Sequence, residues 1–335
     1  MTARIGIGLV GAGRMGSTHA RIIAQAVPEV RLAAIADVDL VAAARLAGEL
    51  GVERTFGTAA ELLADPSVDA ILVAVSTSHH LAVVRAAAAA GKDVLCEKPL
   101  ALTLEDTDNA VDAAGGAGVR LQVGFMRRWD ADYRRARQRV ADGAIGLPVL
   151  FKSLQYDTEL PPPSFRDPRV SGGIMVDMGI HEFDLARWLV ADEVVEVNAY
   201  GSSLVHPELT ALGDVDNAVV GLRFAGGAVG NVELSRTAAY GEDVRTEVMG
   251  VTGSVFVGLL PSAPGVFGRP GVLEYDTVLS SMTRFAPAFA EQLRGFARSI
   301  SEDLPVQVDG ADSRAALAIA LAAQRSLAEG RPVRV

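Results

Sequence analysis

Cysteine is almost absent. Cys96 stands alone in 335 residues, so no intrachain disulfide can form. That fits a reducing, cytoplasmic setting. Histidine is scarce too: His19, His79, His80, His181 and His206 are the full set. With one thiol and neither a CxxC nor an HExxH spacing, a zinc dehydrogenase is disfavoured and no metal site is expected. No run of 18 apolar residues exists, so no membrane span is expected. The apolar stretch after Arg4 is broken by Gly6, Gly8, Gly11 and Gly13, which does not suit a secretory signal. Basic residues number 31 against 41 acidic ones, for a net charge of -10. A general attraction to nucleic acid or an anionic membrane is therefore disfavoured, because counterion release needs a cationic surface. Lysine occurs only at 92, 98 and 152. An ammonium can give up a proton where a guanidinium cannot, so each lysine invites a chemical question.

Apolar residues, by contrast, make up 50% of the chain. At about 150 residues per domain, the length predicts two domains. The first third alternates strands and helices. Strands are expected at Ile5–Val10, Leu32–Ala36, Ala70–Val75, Asp93–Cys96 and Arg120–Val123. Helices are expected at Met15–Ala26, Leu40–Leu50, Leu81–Ala90 and Leu104–Ala114. Continuous apolar strands between helices imply a parallel sheet covered on both faces. From residue 124 the pattern changes. After a charged helix at Ala131–Ala141 come strand candidates at Val194–Tyr200, Ala218–Phe224, Ala228–Ser235, Val244–Gly250 and Ser254–Val257. Gly226–Gly227 and Thr252–Gly253 read as hairpin turns, so this sheet should be mainly antiparallel. Helices near Phe289–Ile300 and Asp312–Ala328 close the chain. The expected fold is α/β: a Rossmann domain over 1–123, then an α+β domain over 124–335 that includes the last helices.

Gly11-Ala12-Gly13-Arg14-Met15-Gly16 is a G-x-G-x-x-G run between a strand and a helix. The first glycine permits the tight turn, the second admits a pyrophosphate, and the third lets helix and strand pack closely. Asp37 follows at the end of the second strand, where an acid accepts hydrogen bonds from an adenosine ribose. Acidic Asp37 and Asp39 should repel a 2′-phosphate, which favours NAD over NADP. Alternatively, Asp37 caps the next helix. Ser76-Thr77-Ser78-His79-His80 follows the third long strand and should border the cofactor. Either His80 contacts the cofactor, or Ser78 is a helix cap and both histidines are solvated.

Glu97-Lys98-Pro99 ends a further strand. Lys98 there either stabilises a developing alkoxide or is a solvated surface lysine. Asp177 and His181 stand at i and i+4, on one face if helical. His181 can then accept a hydroxyl proton while Asp177 orients it. The competing reading is an ion pair at a helix N-terminus. Cys96 reads as a buried small residue more readily than as a catalytic thiolate. One of Arg127 and Arg128 can pair with Asp130.

Gly11–Gly16, Cys96-Glu97-Lys98-Pro99-Leu100 and Ser171-Gly172-Gly173 with Asp177 and His181-Glu182-Phe183-Asp184 occur in order. Together they resemble the Gfo/Idh/MocA oxidoreductase family over nearly the whole chain. Val123–Asp130 and Tyr240-Gly241-Glu242-Asp243-Val244 are similar to its inositol 2-dehydrogenase subgroup, although Trp129 stands where that subgroup usually has Tyr or Phe. The resemblance implies a catalytic set of Lys98, Asp177 and His181, with either His181 or Lys98 as the immediate base. It implies cofactor contacts from Gly11, Gly13, Arg14, Met15, Gly16, Asp37, Ser76, Thr77, His80, Glu97 and Lys98. Met126, Arg127, Asp157 and Tyr240 join the catalytic set around a polyol. It also implies a homo-oligomer, a tetramer, built on the second sheet. The expected reaction is NAD-dependent oxidation of myo-inositol to its 2-keto form. Alternatives are another inositol isomer, a pyranose, or a silent NAD-sensing regulator.

Overall fold

The computed structural model describes residues 4–258, 266–275 and 280–335. Its packing divides the chain into two units. One holds residues 1–129 with 286–315, and the other holds 130–285 with 316–335. This differs from the expected boundary at 123/124, and residues 286–315 return to the first unit.

In the first unit, strands and helices alternate as β1 (Ile5–Val10), α1 (Arg14–Ala26), β2 (Val30–Ala36), α2 (Leu40–Leu50), β3 (Thr55–Phe56), α3 (Ala59–Leu63), β4 (Ala70–Val73), α4 (His80–Ala89), β5 (Asp93–Cys96), α5 (Leu104–Ala117) and β6 (Leu121–Val123). The sheet order is β3-β2-β1-β4-β5-β6, all parallel. That is the dinucleotide-binding order, whose topological switch lies between β1 and β4. Ile7, Leu9, Ile35, Leu72 and Leu95 are buried in this sheet, as both-face coverage requires.

The second unit begins with α6 (Ala131–Ala141), β7 (Pro148–Tyr156), α7 (Pro168–Ser171), α8 (Gly173–Asp177) and α9 (Gly179–Val190). There follow β8 (Val194–Ser202), β9 (Asn217–Phe224), β10 (Val229–Ser235), β11 (Asp243–Gly250), β12 (Ser254–Val257), β13 (Val266–Arg269), β14 (Val272–Tyr275) and α10 (Ser281–Arg284). The chain ends in α11 (Ala286–Ser301), α12 (Gly310–Glu329) and β15 (Val333–Arg334). Seven strands form a sheet in the order β12-β11-β7-β10-β9-β8-β15, antiparallel except where β7 meets β10. The interior strand β7 carries no strand signal strong enough to read in sequence, because Pro148 opens it and Lys152 interrupts it.

The C-terminal helix α11 explains the altered division. Its Leu293, Phe296 and Ala297 join Ile7, Leu9 and Ile23 in one apolar core. Gly295 lets α11 approach Trp129: a Cβ there would stand 1.9 Å from the indole. By the face it buries, α11 packs within the first unit. Among the described residues, no helix is long and apolar enough to cross a membrane.

Candidate active site

The glycine fingerprint is built as its chemistry demands. Gly11 has φ +104°, and a Cβ on it would meet the Ala74 carbonyl at 2.5 Å. A Cβ on Gly16 would stand 1.8 Å from the Gly11 carbonyl, so the third glycine lets α1 close on the loop. Gly13 differs: a Cβ there would meet nothing within 4 Å. It is also the N-cap of α1, which has no side-chain cap and no acid in its first turn. Exposed backbone amides at a helix N-terminus, with open space beside them, suit a pyrophosphate. Arg14 is exposed and Met15 half-buried at the start of this helix. Asp37 does not cap α2; Asp39 does, accepting from Val41 and Ala42. Asp37 instead accepts the Ala12 N–H at 2.6 Å and the Asp39 N–H at 2.8 Å. It thus holds the glycine loop against the end of β2.

On the other side of the switch, Ser76 is exposed and Thr77 buried. Ser76 Oγ lies 2.9 Å from His79 Nδ1, and His79 is exposed. His80 behaves differently from the solvated alternative. It is buried, with Nδ1 2.9 Å from the Pro99 carbonyl and Nε2 3.1 Å from that of Val75. Burial outweighs these carbonyls and pushes its imidazole below the ordinary range. His80 therefore braces the chain that follows Lys98.

Glu97 is turned inward. Its Oε1 meets His19 Nε2 at 2.6 Å, and both side chains are buried. Burial raises the Glu97 carboxyl, but the hydrogen bond and charge of His19, with Lys98 beside it, leave it below the usual carboxylate range. Lys98 itself is half-buried. Cys96 is fully buried, and burial pushes its thiol well above the ordinary value, so it is a packing residue. Met126 and Arg127 are buried in the short turn of helix at Met126–Trp129. Arg128 pairs with Asp312, at 2.8 and 3.0 Å. Asp130 caps α6, its side chain accepting from Asp132 and Tyr133.

In the second unit, Asp177 is the last residue of α8, and His181 lies in the first turn of α9. The i, i+4 spacing thus bridges a helix junction at Met178 rather than one unbroken helix. His181 is 6% exposed. Its helix is tied down by Glu182, a fully buried acid that accepts from Ser153 of β7. Ser153 and Tyr133 each meet Thr246 of β11 at 2.8 Å. Asp177 receives Arg236 Nη2 at 3.2 Å. The Asp157 backbone bonds to Ser235 and Ala238, on either side of Arg236. Tyr240 is 51% exposed, and its hydroxyl donates to Asp243 at 2.8 Å. It lines a cavity of about 660 Å³ with Tyr156, Tyr200 and Glu233, and neither Asp177 nor His181 is part of that lining.

Three contributors escaped the sequence reading. His19 carried a usable signal: Gly16, His19, Ala20 and Ile23 are the buried stripe of α1. Arg236 and Asp214 carried none, since their partners are remote in the chain.

Comparison with known proteins matches both units. The model of an oxidoreductase family with an NAD-binding Rossmann fold fits residues 5–125, and that of a GFO/IDH/MocA C-terminal domain fits residues 133–256. The chain is 39% identical over 330 residues to a myo-inositol 2-dehydrogenase of Thermotoga maritima, covering 98% of each. It is 36% identical to a scyllo-inositol 2-dehydrogenase (NAD(+)) of Bacillus subtilis, covering 100% of this chain and 97% of that one. A scyllo-inositol dehydrogenase from Lactobacillus casei, crystallised with NAD(H) and scyllo-inositol, superposes with a TM-score of 0.93 at 29% identity, covering 99% of each chain. On these matches and the glycine cradle, the chain belongs to the Gfo/Idh/MocA family and is an NAD-dependent oxidoreductase.

Proposed function

We propose that the protein oxidises an inositol at one ring hydroxyl, with myo-inositol oxidised to the 2-keto form as the leading case. The observation that carries this is similarity to inositol dehydrogenases over the full length, through both the cofactor unit and the second unit. Bound NAD supplies the acceptor for the carbon-bound hydrogen. The open amides at Gly13 hold its pyrophosphate, and Asp37 its adenosine ribose. His181 accepts the hydroxyl proton, Asp177 orients the imidazole, and Lys98 stabilises the oxygen as charge develops on it. Met126, Arg127, Asp157 and Tyr240 are assigned to recognition of the remaining hydroxyls. We place the enzyme in the cytoplasm as a homotetramer joined through the outer face of the seven-stranded sheet.

The test is formation of reduced cofactor, followed by absorbance, with NAD or NADP against myo-inositol, scyllo-inositol, other isomers and aldoses. Both myo-inositol at C2 and scyllo-inositol yield the same ketone, so both substrates are to be compared directly. Turnover of an inositol with NAD supports the proposal. Faster turnover of an aldose, or NAD binding without turnover of any member of the panel, overturns it.

A further inference from the structure

Arg236 follows β10 and is 1% exposed. A buried guanidinium is costly unless carboxylates pair with it. Two do so: Nη1 donates to Asp214 Oδ2 at 3.1 Å, and Nη2 to Asp177 Oδ2 at 3.2 Å. The other Asp214 oxygen accepts the Ile174 N–H at 3.0 Å, in the first turn of α8. Asp177 is the last residue of that helix. One cation therefore reaches both ends of α8, the far end directly and the near end through Asp214. The glycine before Ile174 is part of the device. Gly173 has φ +68°, and a Cβ on it would stand 2.9 Å from Asp214 Oδ1.

The two carboxylates are not equivalent. The Asp214 side chain is 6% exposed and that of Asp177 21%. The drier acid anchors the guanidinium, and the wetter one faces outward with a partner at its back. Arg236 thus does more than a buried strut would, because it reaches the acid assigned to the chemistry. We propose that Arg236 is a positioning residue for the oxidation, clamping the Asp177 carboxylate through a charge bridge anchored on Asp214. This rests on the assignment of Asp177 and His181 to proton transfer. Without the guanidinium, the Asp177 carboxylate loses the partner that fixes its position against Asp214. A rotated Asp177 neither orients nor stabilises the imidazolium formed at His181.

The test is a kinetic double-mutant cycle on the full-length enzyme, at saturating NAD, using the panel member it oxidises fastest. Arg236→Gln is expected to lower kcat roughly 10- to 100-fold, part of the ~100- to 10,000-fold that positioned acid–base catalysis supplies, with the KM for NAD unchanged. Arg236→Lys keeps the charge but lacks the planar fork that spans two acids, and should retain more activity than Arg236→Gln. Arg236→Gln added to Asp177→Asn should cost little more than Asp177→Asn alone, since contacting residues acting as a unit are non-additive. If Arg236→Gln fails to fold, Arg236→Gln with Asp214→Asn removes one charge of each sign and keeps an acceptor for Ile174. It is expected to show the same loss of kcat. Unmodified kcat in the lysine variant and in the charge-balanced pair overturns the proposal, as do losses at 236 and 177 that simply multiply. Full activity in Asp177→Asn is a different result: it removes the assignment of Asp177, and the role of Arg236 falls with it.

Discussion

At the scale of single residues, Asp37 has one observed duty and one proposed. Its carboxylate holds the Ala12 amide at 2.6 Å, and in the proposed function its charge opposes a 2′-phosphate. Asp37→Ala removes both. It should narrow the preference for NAD over NADP in kcat/KM by roughly 10- to 100-fold, the worth of a hydrogen bond to a charged group. Asp37→Asn keeps an acceptor for Ala12 and should weaken NAD binding less while still admitting NADP. Parallel kinetics with both cofactors decide the matter, and equal use of NADP by the unmodified enzyme defeats the assignment. For the proton, His181→Ala should lower the chemical rate by roughly 100-fold or more and leave NAD affinity nearly unchanged. Lys98→Arg should also impair turnover, because a guanidinium keeps the charge but not the ammonium geometry. Oxidation should rise with pH from neutral to alkaline, since the reaction releases a proton to a neutral acceptor. Unmodified turnover in a folded, NAD-binding His181→Ala variant, with chemistry rate-limiting, shows that the base lies elsewhere. The sequence displayed these residues unevenly. The glycine run, Asp37 and Lys98 announce themselves through local spacing. Arg236 does not, because its meaning lies in bonds to residues 214 and 177 that only the folded chain supplies.

At the scale of elements, short-range signals told helices and strands apart wherever the pattern was closed on itself. Leu40–Leu50, Asp93–Cys96 and Ala131–Ala141 occupy the residues the sequence predicts. The exceptions depend on distant neighbours. β7 reads poorly alone and becomes a strand because β11 and β10 flank it. α11 is visible as a helix, but the core it joins is not visible locally. Phe296 is fully buried against the strands and α1 of the first unit. Phe296→Ala should therefore cost about 3–5 kcal/mol, and the loss should register in the cofactor unit. Denaturant unfolding with hydrogen exchange checks this: amides of α1 and α11 should lose protection together. Loss of protection confined to α11 counts against a shared core.

For the whole molecule, the proposed assembly is built on the outer face of the seven-stranded sheet. Alternation along β9 buries Ala218, Val220 and Leu222 and leaves Val219 47% exposed. Register then sets Tyr200 and Glu233 on either side of Val219 on the same face. Tyr200 is 71% exposed and Phe256, on the same face at β12, 52%. Apolar and aromatic side chains on one broad sheet surface, interleaved with Glu233, Arg245 and Lys152, suit contacts between copies of the chain; one self-complementary contact joins two copies, and a tetramer adds a second. A stable contact needs about 800 Å² from each partner, which a face of this many strands can provide. Multi-angle light scattering should give about 140 kDa, four copies of the 35.0 kDa chain. Val219→Asp places a charge beside Glu233 at the middle of the patch. It should shift the mass toward smaller species while leaving the circular dichroism spectrum unchanged. A monomeric mass for the unmodified protein at assay concentration rejects the assembly. A tetramer that survives Val219→Asp intact moves the interface to another surface.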